Sequence, residues 1–84
     1  MKNYFITFRS VTYAQKGERV LKKAGVDCTL RRTPKMLTEK TCGYSLQIRL
    51  QDLESALALL REERVTVGKV FGVDFEGRFE ELAV

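Results

Sequence analysis

The run Tyr44-Ser45-Leu46-Gln47-Ile48-Arg49-Leu50 alternates apolar and polar side chains without a break. Successive side chains of a strand point to opposite faces. The run therefore predicts a strand with Tyr44, Leu46, Ile48 and Leu50 against a core and Ser45, Gln47 and Arg49 on an uncovered face. A sheet built from such strands is covered on one side only, which is the habit of antiparallel sheets.

The rest of the pattern fits around that strand. Residues 4–8 alternate Tyr4, Ile6 and Phe8 with Phe5 and Thr7, giving a first strand. Ser10 is suited to cap the helix that follows, because its hydroxyl accepts from a free backbone N–H of the first turn. Val11, Ala14, Val20, Leu21 and Ala24 form the apolar face of that helix, and Gly25 ends it in the manner of a left-handed cap. Gly17 weakens its middle by about 1 kcal/mol relative to alanine, and lets the helix approach the sheet closely. Residues 26–32 give a second strand, which Pro34 stops. A polar, basic loop over residues 33–41 leads towards the third strand. It is longer than the usual hairpin loop of roughly two to five residues, and long loops in compact domains are often functional.

Leu53, Ala56, Leu57 and Leu60 recur at helical spacing, predicting a second helix from about residue 52 to 64. Asp52 and Glu54 at its start and Arg61 and Arg64 at its end complement the helix dipole. Residues 65–73 give a fourth strand. In the tail, Phe75, Phe79 and Leu82 share one helical face, so a short docking helix is expected there.

The order strand, helix, strand, strand, helix, strand is the split βαβ arrangement. The expected fold is α+β, a ferredoxin-like βαββαβ sandwich: a four-stranded antiparallel sheet in the order 4-1-3-2 with two helices on one face. A chain of 84 residues makes one domain. Its core is expected over residues 3–73, with an acidic tail over 74–84. Hydrophobic residues at 44% and charged ones at 31% argue against disorder. A domain of this size holds its chemistry at the surface, which favours an accessory protein over a stand-alone enzyme.

Charge is unevenly placed. Asp74, Glu76, Glu80 and Glu81 outweigh Arg78 in the tail, leaving the rest of the chain with +7 of the net +4. Such a balance suits nucleic acid, an anionic ligand or an acidic partner protein. No apolar run reaches the roughly 20 residues of a membrane span, and the chain enters a strand pattern directly after Met1-Lys2-Asn3, so a cytoplasmic protein without a membrane partner is expected.

Two cysteines and no histidine limit the chemistry. A cysteine–histidine nucleophile pair and any zinc site needing imidazole are excluded, and no CxxC spacing is present. Neither a metal nor a cofactor is expected. Cys28 falls in phase with the apolar positions of Val26-Asp27-Cys28-Thr29-Leu30 and reads as a packing residue. Cys42, after the polar loop and directly before Gly43, has no such phase. In the expected topology the loop between the second and third strands lies at the same end of the sheet as the start of the first helix. Cys42 should then sit near Arg9, Ser10 and that helix N-terminus, with Arg31, Arg32, Lys35 and Lys40 as further cations. A helix N-terminus and nearby cations both favour thiolate over thiol. Gly43, without a side chain, lets a partner approach the sulfur.

These residues carry a resemblance. Tyr4-Phe5-Ile6-Thr7-Phe8 followed by Ser10 and a helix, then residues 30–34, then Cys42-Gly43 opening an apolar strand with Leu46, resemble the small bacterial DUF3343 proteins, a family of selenium/sulfur (Se/S) carrier protein-like domains. The similarity spans roughly residues 3–73. Lys35 stands where arginine is usual, Thr38 and Thr41 where serine is frequent, and the loop is one residue longer. The resemblance implies a sulfur or selenium carrier. Cys42 would hold a persulfide or selenosulfide, received from a protein donor such as a cysteine desulfurase and passed to an acceptor protein.

Two other functions compete. The open sheet face and the net charge suit a nucleic-acid-binding module, although Phe5 is the only aromatic expected on the two central strands, which disfavours that partner. A regulatory module that forms a homodimer through its sheet and binds a small ligand at its rim would not need Cys42.

Overall fold

The computed structural model describes residues 3–33, 43–73, 76 and 78–82. In chain order it contains β1 (Asn3–Phe8), α1 (Val11–Lys23), β2 (Thr29–Arg32), β3 (Tyr44–Arg49), α2 (Leu53–Glu62), β4 (Val67–Val73) and β5 (Phe79–Leu82). A turn of 3-10 helix over Leu50–Asp52 joins β3 to α2.

The local chemistry explains the helices. Ser10 is the N-cap of α1, its Oγ accepting from the Tyr13 N–H at 3.4 Å. At the other end Gly25 has φ +82°. There the Gly25 N–H donates to the Lys22 carbonyl and the Val26 N–H to the Leu21 carbonyl, the paired bonds of a Schellman cap. α2 ends the same way, with Val65 donating to Leu60 and Arg64 to Arg61, but Arg64 takes the left-handed position at φ 57°. Gly17 does what its place in the pattern suggested. A Cβ there would lie 3.0 Å from the Phe8 ring and 3.3 Å from Leu46, so its absence sets how closely α1 meets the sheet.

The sheet is antiparallel throughout, in the order β2-β3-β1-β4-β5. Its five strands correct the expected four. The first four follow the expected succession 2-3-1-4, and the tail adds an edge strand where a helix was expected. The spacing of Phe79 and Leu82 is the reason: three residues apart, they share a helix face but occupy opposite faces of a strand. Leu82 packs against the core, whereas the Phe79 ring lies 6.2 Å from that of Phe5 on the other side. Glu81 of the acidic tail pairs with Lys69 of β4 at 3.2 Å.

One core joins the two layers. Tyr4, Ile6 and Phe8 of β1, Leu46 and Ile48 of β3 and Val70 of β4 pack against Ala14 and Leu21 of α1 and Ala56 and Leu60 of α2. Both helices therefore cover the same face of the sheet. Three expectations about its edges need correction. Val11 was placed on the apolar face of α1 but is 39% exposed. Leu50 belongs to the 3-10 turn and is 56% exposed, because β3 ends at Arg49 and the strand alternation ends with it. β2 begins at Thr29, so Val26, Asp27 and Cys28 lead into the strand without belonging to it. Among the described residues no helix is long and apolar enough to cross a membrane.

Candidate functional site

Of the sequence-predicted site residues, Cys42, Lys35 and Lys40 lie outside the described residues. Gly43, Arg9, Ser10, Arg31 and Arg32 lie within them, and the pairing of the strands brings these five to one end of the sheet. In the β1–β3 register Thr7 faces Ser45, so Gly43 before β3 and Arg9 and Ser10 after β1 lie just beyond the end of that ladder. In the β2–β3 register Arg31 faces Ser45 and Arg32 faces Tyr44. The Thr33 N–H then donates to the Gly43 carbonyl at 2.9 Å, closing the described part of the hairpin. Arg31 and Arg32 alternate in direction, Arg31 with Ser45 on the open face and Arg32 with Tyr44 on the helix side.

The same end carries features that the sequence pattern did not single out. Val11 and Tyr13, in the first turn of α1, are 39% and 38% exposed, two of the three exposed large hydrophobics among the described residues. The only advance signal was their place directly after Ser10, ahead of the helix's buried stripe. Ser45 is fully buried, and its Oγ has no hydrogen-bond partner among the described residues. Strand alternation had assigned Ser45 to the uncovered face. Its neighbour Thr7 is also buried, and there the β1–β4 ladder shifts register between Ile6 and Phe8. The Thr7 hydroxyl takes part in the shifted ladder, accepting from the Lys69 N–H at 2.7 Å and donating to the Lys69 carbonyl at 2.9 Å.

Cys28 lies at the other end of the β2–β3 pair. It is partly buried and packs against the core, so the packing role holds, although burial is incomplete. Its Sγ lies 4.0 Å from the Glu18 carbonyl oxygen, to which the thiol donates. Burial pushes the Cys28 thiol up from the ordinary thiol range; the Glu18 carboxylate adds to the shift, Lys22 opposes it, and Asp27 adds a smaller share. Cys28 is therefore a protonated, weakly nucleophilic thiol at neutral pH.

The open face is richer in aromatics than Phe5 alone. A cross-strand row runs from Thr29 through Gln47, Phe5 and Phe71 to Glu81. Phe79 joins Phe5 beside it, with the two rings tilted by 50°. Phe71 and Phe79 escaped the sequence pattern because one lies within a glycine-interrupted strand and the other sits in a tail read as helix.

No curated protein and no solved structure matches this chain. The model of the family described as "Putative Se/S carrier protein-like" matches residues 3–71, from the first residue of β1 into β4. That match covers both helices, β1 to β3, most of β4 and both cysteine positions, and by it the chain belongs to the Se/S carrier protein-like family.

Proposed function

We propose that this protein carries sulfur or selenium as a persulfide or selenosulfide on Cys42. The observation that carries the reading, within the family match, is the contrast between the two ends of the β2–β3 pair. Gly43, the chain neighbour of Cys42, lies at the end of the sheet where α1 begins and Arg9 stands, with Arg31 and Arg32 on the two faces of the adjoining strand. The second thiol is kept protonated at the opposite end.

The chemistry needs no added oxidant. The Cys42 thiolate attacks the terminal sulfur of a donor's persulfide; a new S–S bond forms at Cys42 as the donor's S–S bond breaks, and the donor leaves as thiolate. The acceptor repeats the step on Cys42, which leaves as thiolate in turn. Selenium in the terminal position follows the same course. A cationic rim favours the anion at each stage, as thiolate, persulfide and leaving group.

A carrier also needs a thiol that no second cysteine resolves into a disulfide. Gln47, the partner of Thr29, and Gly43 are four strand residues apart, about 13 Å at roughly 3.3 Å per residue. A disulfide requires Cα atoms within about 7 Å. Cys28 precedes Thr29 at the far end of that span, whereas Cys42 precedes Gly43 at the near end of the chain segment, which favours a Cys42 thiol that Cys28 does not resolve. Exposed Val11 and Tyr13 next to the cations supply apolar contact for a donor or acceptor protein. The experiment is persulfide labelling by a cysteine desulfurase and cysteine: Cys42→Ser is expected to abolish the label and Cys28→Ser to keep it. Equal labelling of the two variants overturns the proposal.

A second reading is favoured by one observation. Phe5, Phe71 and Phe79 together form an aromatic platform on the open face, with Gln47 beside Phe5 and Arg31 and Arg49 on the flanking strands. Bases of single-stranded RNA stack on such surfaces. Salt-sensitive binding of a single-stranded oligonucleotide that is lost in Phe5→Ala supports this reading, and its absence at low salt removes it.

A further inference from the structure

The apolar face of α1 is only partly used. Ala14, Gly17 and Leu21 are buried, whereas Val20 is half-buried and Ala24 is exposed. These two, with half-buried Leu59 of α2, form the floor of a groove of about 350 Å³ on the outer side of the helix pair. Lys16, Arg19 and Lys23 stand along one wall at spacings of three and four residues, one stripe of a helix. All three are exposed, and none makes an ion pair among the described residues. The ion pair of α1 is made by Lys22 with Glu18, away from the groove. Glu63 on the α2 side is the one acidic lining residue.

We propose that this groove docks an acidic amphipathic helix of a partner protein. The stripe from Lys16 to Ala24 is about 12 Å long at roughly 1.5 Å per residue, which matches two turns of a partner helix. An apolar ridge on that helix would fill the floor of Val20, Ala24 and Leu59, and flanking Asp or Glu side chains would meet three unpaired cations. Charge of one sign around an apolar floor steers encounter and sets orientation, with Glu63 selecting a cation at one corner of the partner. A second copy of this chain does not fit, since a two-fold contact here places Lys16, Arg19 and Lys23 against their own equivalents. Nucleic acid is disfavoured because no aromatic ring lines the groove on which a base could stack. The proposal stands apart from the carrier reading, as no cysteine among the described residues lines the groove.

The test uses the full chain and two synthetic amidated helical peptides of about four turns. Both carry leucines at helical spacing; one is flanked by glutamates and the other by lysines. NMR titration is expected to move the amides of residues 16–24 and 59–63 with the glutamate peptide alone. Affinity should fall about tenfold in Arg19→Glu/Lys23→Glu, with unchanged circular dichroism, and also as salt rises. Both side chains are exposed, so the variant is expected to fold. Any of four results overturns the proposal: glutamate-peptide shifts confined to the open sheet face, affinity indifferent to the charge reversal, equal binding of the lysine peptide, or groove shifts produced instead by an oligonucleotide or by self-association.

Discussion

The β2–β3 pair has two ends of opposite character, and a cysteine precedes each strand in the chain: Cys28 before β2, and Cys42 before Gly43 and β3. At the Cys28 end the chain leaves α1 through Gly25, turns at Val26 and enters β2 with the thiol packed against the core and facing a carbonyl and two carboxylates. At the Gly43 end it meets the capped start of α1, three arginines and two exposed hydrophobics. The same residue type is a neutral filler in one place and a candidate anion in the other. The difference lies in what surrounds each end: negative dipoles and burial at the first, a positive helix terminus and cations at the second.

The harshest way to break this contrast is to exchange the thiols for hydroxyls. Cys42→Ser should remove all persulfide labelling, and Cys28→Ser should leave its rate within about twofold, since the half-buried thiol takes no part. Persulfide on Cys28 in the Cys42→Ser variant, resolved by peptide mass, would erase the contrast. A milder change reverses the rim charges. Arg9→Glu/Arg31→Glu should slow labelling about tenfold and raise the pH at which Cys42 becomes reactive, while the reactivity of Cys28 stays the same. A matching loss in thermal stability, instead of a pH shift, would assign these arginines a structural role only.

Much of this contrast was legible in the residues. Cys28 in phase with Val26 and Leu30, Ser10 ahead of an apolar stripe, and Gly25 behind it each express a local rule that the fold obeys. The succession of the first four strands follows from βαββαβ order, because each helix must return the chain to the face it covers. The fifth strand was hidden, since Phe79 and Leu82 satisfy a helix and a strand alike and only the free edge of β4 decides between them. The groove was hidden for another reason. Val20 and Ala24 carry the right period for burial, but a helix packed through Gly17 and Leu21 leaves its flank uncovered. Lys16, Arg19 and Lys23 at helical spacing were the available signal.

Two smaller perturbations sharpen the comparison from the Cys28 side. Gly25→Ala forces a Cβ into the left-handed region and should cost about 1 kcal/mol by chemical denaturation. It should also speed Cys28 alkylation by loosening the cap that leads to it, and leave Cys42 unaffected. The smallest effect is electrostatic. Because folding raises the Cys28 pKa, the folded state binds its proton more tightly, so stability is constant at pH values below the unfolded thiol's pKa. It falls as pH rises from there through the raised folded value. Wild type should thus lose more stability than Cys28→Ser between about pH 8 and pH 10, and parallel curves would show that the thiol titrates as it does in the unfolded chain.

The most direct measurement is the alkylation rate of each cysteine against pH, resolved by peptide mass in the wild type and in both single-cysteine variants. The carrier account predicts a midpoint for Cys42 clearly below the unperturbed thiol value of about 8.5, with Cys28 above it and slow throughout. A Cys42 midpoint at or above about 8.5, or two cysteines that react alike, would contradict it.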